Sequence, residues 1–204
     1  ILSGTVFFVG TTPVTVTAVD NSGNTGTCTF NVIVEDNELP DAKCLSLTVY
    51  LDALGSGSIA PANVNNASTD NCGIASLSLD DDTFDCSDIN VANTVTLTVT
   101  DVNGNTNTCI SNITVMDVTD PTADCLASIN VDLDASGSVT VDGVSLDNGS
   151  ADECAIASYT LSQSIFDCSN IGANPVTLTV TDLGGNTADC IATINVSDNV
   201  SPDA

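Results

Sequence analysis

Apolar and polar residues alternate along much of this chain. In residues 94–100, three apolar side chains alternate with four threonines, which is the period-2 pattern of a strand with one face buried and the other in water. The segment DVNGN at 101–105 follows directly, and its glycine suits the positive φ of a tight hairpin turn. A second strand is predicted from Cys109 to Met116. The pattern therefore predicts an antiparallel hairpin.

Shorter segments of the same kind precede this hairpin. Strands are predicted at 45–52, 56–64, 73–79 and 83–86, separated by Gly, Asp, Asn and Ser turns. No segment has a convincing helical period. About seven short strands in roughly 80 residues are typical of an immunoglobulin-like β-sandwich. The predicted fold class is therefore all-β, with tandem immunoglobulin-like sandwich modules in a linear array.

The whole pattern repeats along the chain. A spacing of 81 residues separates the members of two sets of residues: Pro40, Pro121 and Pro202, and Cys28, Cys109 and Cys190. This period predicts the last half of a repeat at 1–40, complete repeats at 41–121 and 122–202, and the start of a further repeat at 203–204. We expect the polypeptide to continue in both directions, or a neighbouring chain to complete the first repeat.

The charge of the chain restricts its partners. It has 27 acidic side chains, one basic side chain (Lys43), no histidine and a formal net charge of −26. Nucleic acid is excluded as a partner because phosphate binding needs a Lys or Arg footprint, and anionic membrane surfaces are disfavoured for the same reason. No apolar run reaches the roughly 18 residues that span a bilayer, so direct membrane insertion is not expected. Such a charge opposes compaction unless cations or salt offset it.

Nine cysteines recur at fixed spacings, without the histidines or CxxC pairs of a zinc site. They predict a disulfide framework that forms outside the cytoplasm, in an oxidising compartment. In an up-and-down sandwich, the first and last strands of a repeat begin at the same end of the module. This strand order predicts that Cys44 pairs with Cys109 and that Cys125 pairs with Cys190.

A second disulfide is expected in each complete repeat. Cys72 begins a strand that leaves the same end of the module, and Cys86 ends a short strand that we expect to return to it. The expected second pairs are Cys72 with Cys86 and Cys154 with Cys168. A rival pairing crosses the repeat boundaries and joins Cys28 with Cys44 and Cys109 with Cys125.

Several segments resemble a known family. They are residues 3–40, STDNCG at 68–73, and FDCS at 84–87 and again at 166–169. These segments resemble HYR (hyalin repeat) modules, particularly the tandem versions in secreted proteins of Bacteroidetes, and the resemblance extends over the whole chain. It implies an immunoglobulin-like fold and an extracellular adhesive or structural role, as in a bacterial cell-surface filament or adhesin stalk.

Acidic and amide-rich segments are expected to meet at the junctions between repeats. They belong to the linkers 35–40 and 116–121, the loops 68–71 and 150–153, and the DxxGN turns. Calcium takes about six to eight oxygen ligands of these kinds. We therefore expect calcium as a cofactor, with these ligands at two junctions: Asp36, Asp70 and Asp101, then Asp117, Asp120, Asp152 and Asp182. The other interpretation is that these aspartates only form turns, because Asp and Asn side chains cap local backbone groups.

Nothing in the sequence indicates catalysis. Asp80, Asp81 and Asp82 are adjacent in one turn, and residues 161–166 of the next repeat carry no carboxylate at that place, so a glycosidase pair of carboxylates is not expected. The chain has no histidine to act as a base. The predicted function is a non-enzymatic, structural or adhesive repeat region, whose partners are copies of itself, neighbouring repeats or a surface glycan.

The alternative function is a carbohydrate-binding or surface-binding accessory region of a secreted enzyme. That function needs an exposed aromatic platform. The chain has two Tyr and five Phe, most of them at core-like positions, so the sequence does not favour the alternative.

Overall fold

The computed structural model of the protein describes residues 4–201. In this range a hairpin of β1 (Gly10–Val19) and β2 (Thr25–Val34) precedes two β-sandwich units. The predicted start of a further repeat at 203–204 lies outside the described residues, as does Pro202. No helix in the described part of the chain is long and apolar enough to cross a membrane.

Each sandwich unit has six strands and short helical segments. The first unit contains β3 (Leu47–Tyr50), β4 (Ser56–Ser58), helix α1 (Pro61–Val64), β5 (Ile74–Leu79), β6 (Thr83–Asp85), a 3-10 turn (Cys86–Asp88), β7 (Asn93–Asp101) and β8 (Thr106–Met116). The second unit contains β9 (Ser128–Asp132), β10 (Ser138–Thr140), a 3-10 turn (Gly143–Leu146), β11 (Ile156–Leu161), β12 (Ile165–Asp167), a 3-10 turn (Cys168–Asn170), β13 (Gly172–Asp182) and β14 (Thr187–Ser197).

One layer of each unit is a four-stranded sheet. Its order is β3-β8-β7-β5 in the first unit and β9-β14-β13-β11 in the second. The first and last strands of a unit run parallel to each other, and the remaining neighbours are antiparallel. We call the end at which β3 or β9 begins the upstream end of the unit, and the opposite end the downstream end.

The second layer of the first unit is a short strand pair and a helix. β4 pairs with β6, and α1 buries Val64 beside them. The strand predicted at 56–64 is therefore wrong beyond its first three residues. Pro61 begins the helix because its fixed φ suits the first helical position, where no N–H donor is needed. The Asn63 side chain also accepts a hydrogen bond from the Ala60 N–H at 2.7 Å.

The alternating pattern places one face of β7 and of β13 in the core. In β7, the side chains of Val95, Leu97 and Val99 are all buried, while the threonines between them are partly exposed. Phe84 of β6 and Phe166 of β12 pack into the core from the opposite layer. These two-layer units confirm the prediction of an all-β, immunoglobulin-like sandwich.

The chain crosses between the layers at the middle of each unit. β5 pairs with only half of β7, from Leu97 to Asp101, and the Asp80 N–H donates to the Thr96 carbonyl at 3.3 Å where β5 ends. The chain then passes into the other layer, and β6 continues toward the downstream end. The short strand does not return to the upstream end as predicted.

Two disulfides each lie within one unit. Cys44–Cys109 and Cys125–Cys190 have Cα–Cα distances of 5.7 and 6.1 Å, and they are the pairs expected from the strand order. Both lie at upstream ends, where the first and last strands of a unit begin. The rival pairing of Cys28 with Cys44 does not form, and Cys28 is exposed and unpaired.

The third disulfide joins the two units. Cys86 is bonded to Cys154 of the second unit, with a Cα–Cα distance of 5.1 Å, and Cys72 and Cys168 are exposed and unpaired. The predicted pairs of Cys72 with Cys86 and of Cys154 with Cys168 are therefore wrong. The reason is the direction of β6, which carries Cys86 to the downstream end of its unit, away from Cys72.

The burial of β7 predicts a large effect of one core substitution. Leu97→Ala should lower the free energy of unfolding by about 2–5 kcal/mol because it removes buried methyl groups and leaves a cavity. The matched control is Ile110→Ala on β8, whose side chain is 69% exposed and which should change stability by less than about 0.5 kcal/mol. Urea denaturation followed by circular dichroism measures both, and equal effects would contradict this sheet orientation.

Candidate metal centres at the repeat junctions

One aspartate organises the hairpin turn at the upstream end of each unit. Asp101 accepts the backbone N–H groups of Asn103 and Asn105 at 2.8 Å, and the Asn105 side chain at 2.7 Å. Asp182 accepts the Asn186 backbone N–H at 2.8 Å and its side chain at 3.0 Å. Both aspartates are buried. Burial opposes the ionisation of Asp101, but the hydrogen bonds of the turn outweigh it and hold the pKa of Asp101 below its ordinary value.

These turns also hold the linker that enters the unit. Asn105 donates through its side chain to the Asp36 carbonyl at 3.2 Å, and Asn186 donates in the same way to the Asp117 carbonyl at 3.2 Å. The second turn approaches its linker so closely that a Cβ on Gly184 would lie 2.9 Å from both the Cβ and the carbonyl oxygen of Asp117. In the second turn this position therefore requires glycine, and in both units the backbone of the linker is held against the turn.

Four aspartates at the two junctions share one arrangement. Each accepts through Oδ1 a hydrogen bond from the backbone N–H two residues later, at 2.7–3.1 Å, and each has a buried Oδ2 without a hydrogen-bond partner: Asp36, Asp70, Asp117 and Asp152. Glu153 Oε1 is a fifth oxygen of this kind. Within residues 4–201, these five are all of the buried side-chain oxygens and nitrogens that have no hydrogen-bond partner. Such atoms are rare in folded proteins because each costs free energy.

Carboxylate oxygens of two aspartates converge at each junction. A carboxylate oxygen of Asp36, one of Asp70 and the Cys72 sulfur lie within 4.8 Å of one another, and the same holds for Asp117, Asp152 and the Cys154 sulfur. Asp117 is only 3% exposed. Calcium binds oxygen at about 2.3–2.6 Å, so two oxygens on one ion lie within about 5 Å of each other. The oxygens at both junctions have a spacing that a calcium ion can bridge.

The clustered negative charge of the second junction also favours a bound cation. Burial raises the pKa of Asp152 above its ordinary value, and the negative charges of Glu153, Asp117 and Asp182 raise it further. When no cation is present, ionisation of Asp152 therefore costs more free energy in the folded chain than in the unfolded chain. A bound cation would reverse that effect by compensating the clustered negative charge.

Neither cysteine beside these carboxylates supplies a thiolate that could bind a metal ion. Cys154 is bonded to Cys86 and carries no thiolate. At Cys72, the contact with the Asp36 carboxylate, partial desolvation of the sulfur and the charges of Asp36, Asp70 and Asp101 raise the pKa of the thiol, which keeps it neutral. Both junctions therefore offer carboxylate oxygens, the donors that a hard cation such as calcium prefers.

The predicted ligands do not all come together. Asp36, Asp70, Asp117 and Asp152 supply the unpaired oxygens, whereas both carboxylate oxygens of Asp101 and of Asp182 accept hydrogen bonds within their turns. Asp120 is exposed and lies outside the two clusters of described ligand atoms.

Sequence reasoning missed Glu153, whose buried Oε1 has no hydrogen-bond partner although it lies outside the cluster of Asp117, Asp152 and Cys154 ligand atoms. The sequence does contain one indication of a special role. Glu153 carries a charge at the place that the neutral Asn71 occupies in the first unit. There the Asn71 side chain donates to the Glu38 carboxylate.

The acidic turn at 80–82 has a structural role. Asp80 accepts hydrogen bonds from the backbone N–H groups of Thr96 at 2.7 Å and Asp81 at 2.9 Å. The hydrogen bond from Thr96 has the larger effect, and both lower the pKa of Asp80. Asp80 therefore ties β5 to β7 at the crossover between the layers.

Comparison with known proteins supports the HYR resemblance. Residues 2–34 match the HYR domain family. Hyalin from Strongylocentrotus purpuratus is 30% identical over 206 residues, which is 95% of this chain and 17% of hyalin. The chain thus spans 17% of the curated relative that it matches. These two matches confirm the prediction of an HYR-type domain. The association with Bacteroidetes stays a prediction.

Similar solved structures include domains of a protocadherin and of titin. Three domains of protocadherin gamma C5 align with a TM-score of 0.39 and 12% identity, covering 92% of this chain and 77% of that one. Titin domains I67–I69 align with a TM-score of 0.30 and 12% identity, covering 78% of this chain and 66% of that one. The fold assignment rests on the sheet order and core described above.

The raised pKa of Asp152 predicts stabilisation by a neutral substitute. In calcium-free buffer at pH 7, Asp152→Asn should raise the Tm of the second unit because it removes a disfavoured charge. A raised folded-state pKa means that the stabilising effect of the protonated carboxyl is full below the unfolded pKa and is lost as the pH rises through the folded pKa. The gain from Asp152→Asn should therefore disappear as the pH falls below about 4.

Differential scanning calorimetry between pH 3 and pH 8 measures this effect. Asp82→Asn is the control, since Asp82 is exposed in the turn at the crossover and its replacement should leave the Tm unchanged at each pH. A lower Tm for Asp152→Asn at pH 7 without calcium would show that the carboxylate already has a compensating partner.

Proposed function

We propose that this chain is a structural and adhesive segment of an extracellular protein, in which β-sandwich repeats are fixed end to end by disulfides and by calcium at the junctions. One observation carries the proposal. All the buried unpartnered side-chain oxygens of residues 4–201 lie at two places, where the β1–β2 hairpin leads into the first unit and where the first unit leads into the second. A cation bound there would join the linker of one unit to a loop of the next.

The disulfides support an extracellular site of action. The described residues form three disulfides, and such bonds form and persist in oxidising compartments. Hyalin-type sequence similarity supports the same placement. The core of each unit is small, with one phenylalanine and mostly aliphatic residues, so covalent links contribute a large share of the stability of each unit.

Calcium is the cation that the donor set favours. The first junction offers Asp36 and Asp70, and the second offers Asp117, Asp152 and Glu153. All five are carboxylates, and calcium accommodates irregular sets of oxygen ligands completed by backbone carbonyls and water. The net charge of −26 adds a general attraction for cations.

Bound calcium would limit bending between consecutive units. Asp117 follows directly after β8 of the first unit, whereas Asp152 and Glu153 belong to a loop of the second unit. An ion held by all three would fix the angle between the units. The partners of such a segment are the neighbouring repeats, with a surface glycan or cell-surface ligand as a further binding partner of the array.

The proposal assigns no catalysis to the chain. The sequence has no histidine, and the carboxylates at 80–82 are engaged in a turn. The clustered carboxylates at the junctions are held by backbone hydrogen bonds as ligands for an ion. A filament or stalk is the assembly that rigid units in series are suited to build.

A calcium titration tests the proposal. Calcium should raise the Tm of the chain, because an ion that binds only the folded state stabilises it by about 2.7 kcal/mol per site at 100 times its Kd. EGTA should reverse the rise. In small-angle X-ray scattering, calcium should also increase the maximum dimension of the particle, because fixed junctions hold the units in line.

Two controls separate site binding from charge screening. Potassium chloride at the same ionic strength should have a much smaller effect, since it only screens the net charge. Asp117→Asn should reduce the calcium-dependent rise in Tm, whereas Asp82→Asn should preserve it. If EGTA leaves both the Tm and the scattering of the unaltered chain unchanged, calcium has no place in the function.

A further inference from the structure

The Cys86–Cys154 disulfide crosses the junction between the two sandwich units. Cys86 lies in the 3-10 turn at the downstream end of the first unit, and Cys154 lies in the loop at the upstream end of the second. Cys154 is 2% exposed. The bond therefore fixes this loop of the second unit to the body of the first.

The same loop supplies the carboxylates of the second cation site. Asp152 and Glu153 directly precede Cys154, whose backbone N–H donates to Asp152 Oδ1 at 2.8 Å. The Cys86 sulfur lies 3.5 Å from the Glu153 carbonyl oxygen. Asp117, the remaining carboxylate of the site, belongs to the linker from the first unit, so the disulfide and the site join the same two units at the same place.

The attachment point in the first unit is firmly held. Asp85 accepts a hydrogen bond from the Ser87 N–H at 2.8 Å, and Asp88 accepts one from the Asp85 N–H at 2.9 Å. Gly55 packs so closely that a Cβ there would lie 2.6 Å from the Cys86 sulfur. The disulfide thus anchors the cation-binding loop to a fixed position and not to a mobile segment.

Two other places in the chain have the same local structure but lack the disulfide. At the first junction, Asp36 and Asp70 converge in the same way, but the equivalent cysteine, Cys72, is exposed and unpaired. At the downstream end of the second unit, Cys168 follows β12 as Cys86 follows β6. Its turn is capped alike, with Asp167 accepting the Ser169 N–H at 2.7 Å, and Cys168 is also unpaired.

We infer that the Cys86–Cys154 disulfide positions the carboxylates of the second junction, so that breaking this disulfide weakens cation binding there and a bound cation makes the disulfide harder to reduce. The inference rests on the proposed calcium function and adds redox control of one of its two sites. A dithiol reductant would supply two electrons and two protons, giving the Cys86 and Cys154 thiols and a cyclic disulfide of the reductant. The released loop must then be ordered by the ion alone, at an entropic cost. Because coupling between two equilibria is reciprocal, the effect on reduction must equal the effect on binding.

Calcium titration calorimetry on a chain with one active junction tests the inference. Asp36→Asn with Asp70→Asn removes the first site and leaves the second for measurement. In that background, Cys86→Ser with Cys154→Ser should raise the calcium Kd by about tenfold, the scale of a typical coupling between sites. Cys168→Ser is the matched control, and it should leave the Kd unchanged.

The reverse measurement uses the unaltered chain and does not depend on how the variants fold. The chain is equilibrated with dithiothreitol buffers, alkylated and mapped by mass spectrometry, with calcium or with EGTA. Calcium should lower the reduction potential of Cys86–Cys154, and a tenfold coupling corresponds to about 30 mV. Cys44–Cys109, which joins two residues of one unit and crosses neither junction, should shift less.

The outcomes separate the two proposals. If calcium binds the second junction with the same Kd with and without the disulfide, or if calcium leaves the potential of Cys86–Cys154 unchanged, the redox inference is overturned and the calcium function stands. If calcium does not bind the unaltered chain at all, the calcium function fails and the redox inference fails with it.

Discussion

Repulsion between carboxylates is concentrated where consecutive units of this protein meet. Asp117 from the linker and Asp152 from the following loop approach within 4.8 Å, and each has one oxygen that is buried and without a partner. The backbone hydrogen bonds that hold the other oxygen of each side chain prevent the two groups from turning away. Such an arrangement is costly for a chain alone, and a bound cation would offset that cost. The backbone hydrogen bonds that fix the geometry of the junction therefore also fix the repulsion between its carboxylates.

The arrangement of layers decides which cysteines can reach that junction. The four-stranded sheet runs the full length of a unit, but the opposite layer is divided between a short helical segment and a short strand pair. β5 therefore ends halfway, and β6 completes the path to the downstream end. Because of this division, Cys86 lies at the boundary with the next unit, where it forms a disulfide with Cys154. Packing within a unit thus determines how that unit is joined to the next.

Local patterns in the sequence predicted the long strands and the intra-unit disulfides. Alternation over 94–100 predicted β7, and the order of first and last strands predicted Cys44 with Cys109. The direction of β6 was not predictable, because a three-residue strand such as Thr83–Asp85 has no periodicity that reveals its partner. The start of a helix at Pro61 was missed for a similar reason, since a four-residue helix is too short to show a period. Glu153 was overlooked because the burial of its Oε1 depends on how the loop packs at the junction, which the sequence pattern does not reveal.

The parallel pairing of the first and last strands affects how a pulled array transmits tension. Within the first unit, force applied at the two ends enters near Cys44, crosses the disulfide to Cys109 and leaves along β8. The residues between these two cysteines lie outside the shortest covalent path through the unit, and at about 3.6 Å per extended residue they represent more than about 200 Å of chain that cannot be drawn out while the bond is intact. An intact unit would therefore behave as a nearly inextensible link, and reduction of this bond together with Cys86–Cys154 would convert it into a long extensible tether.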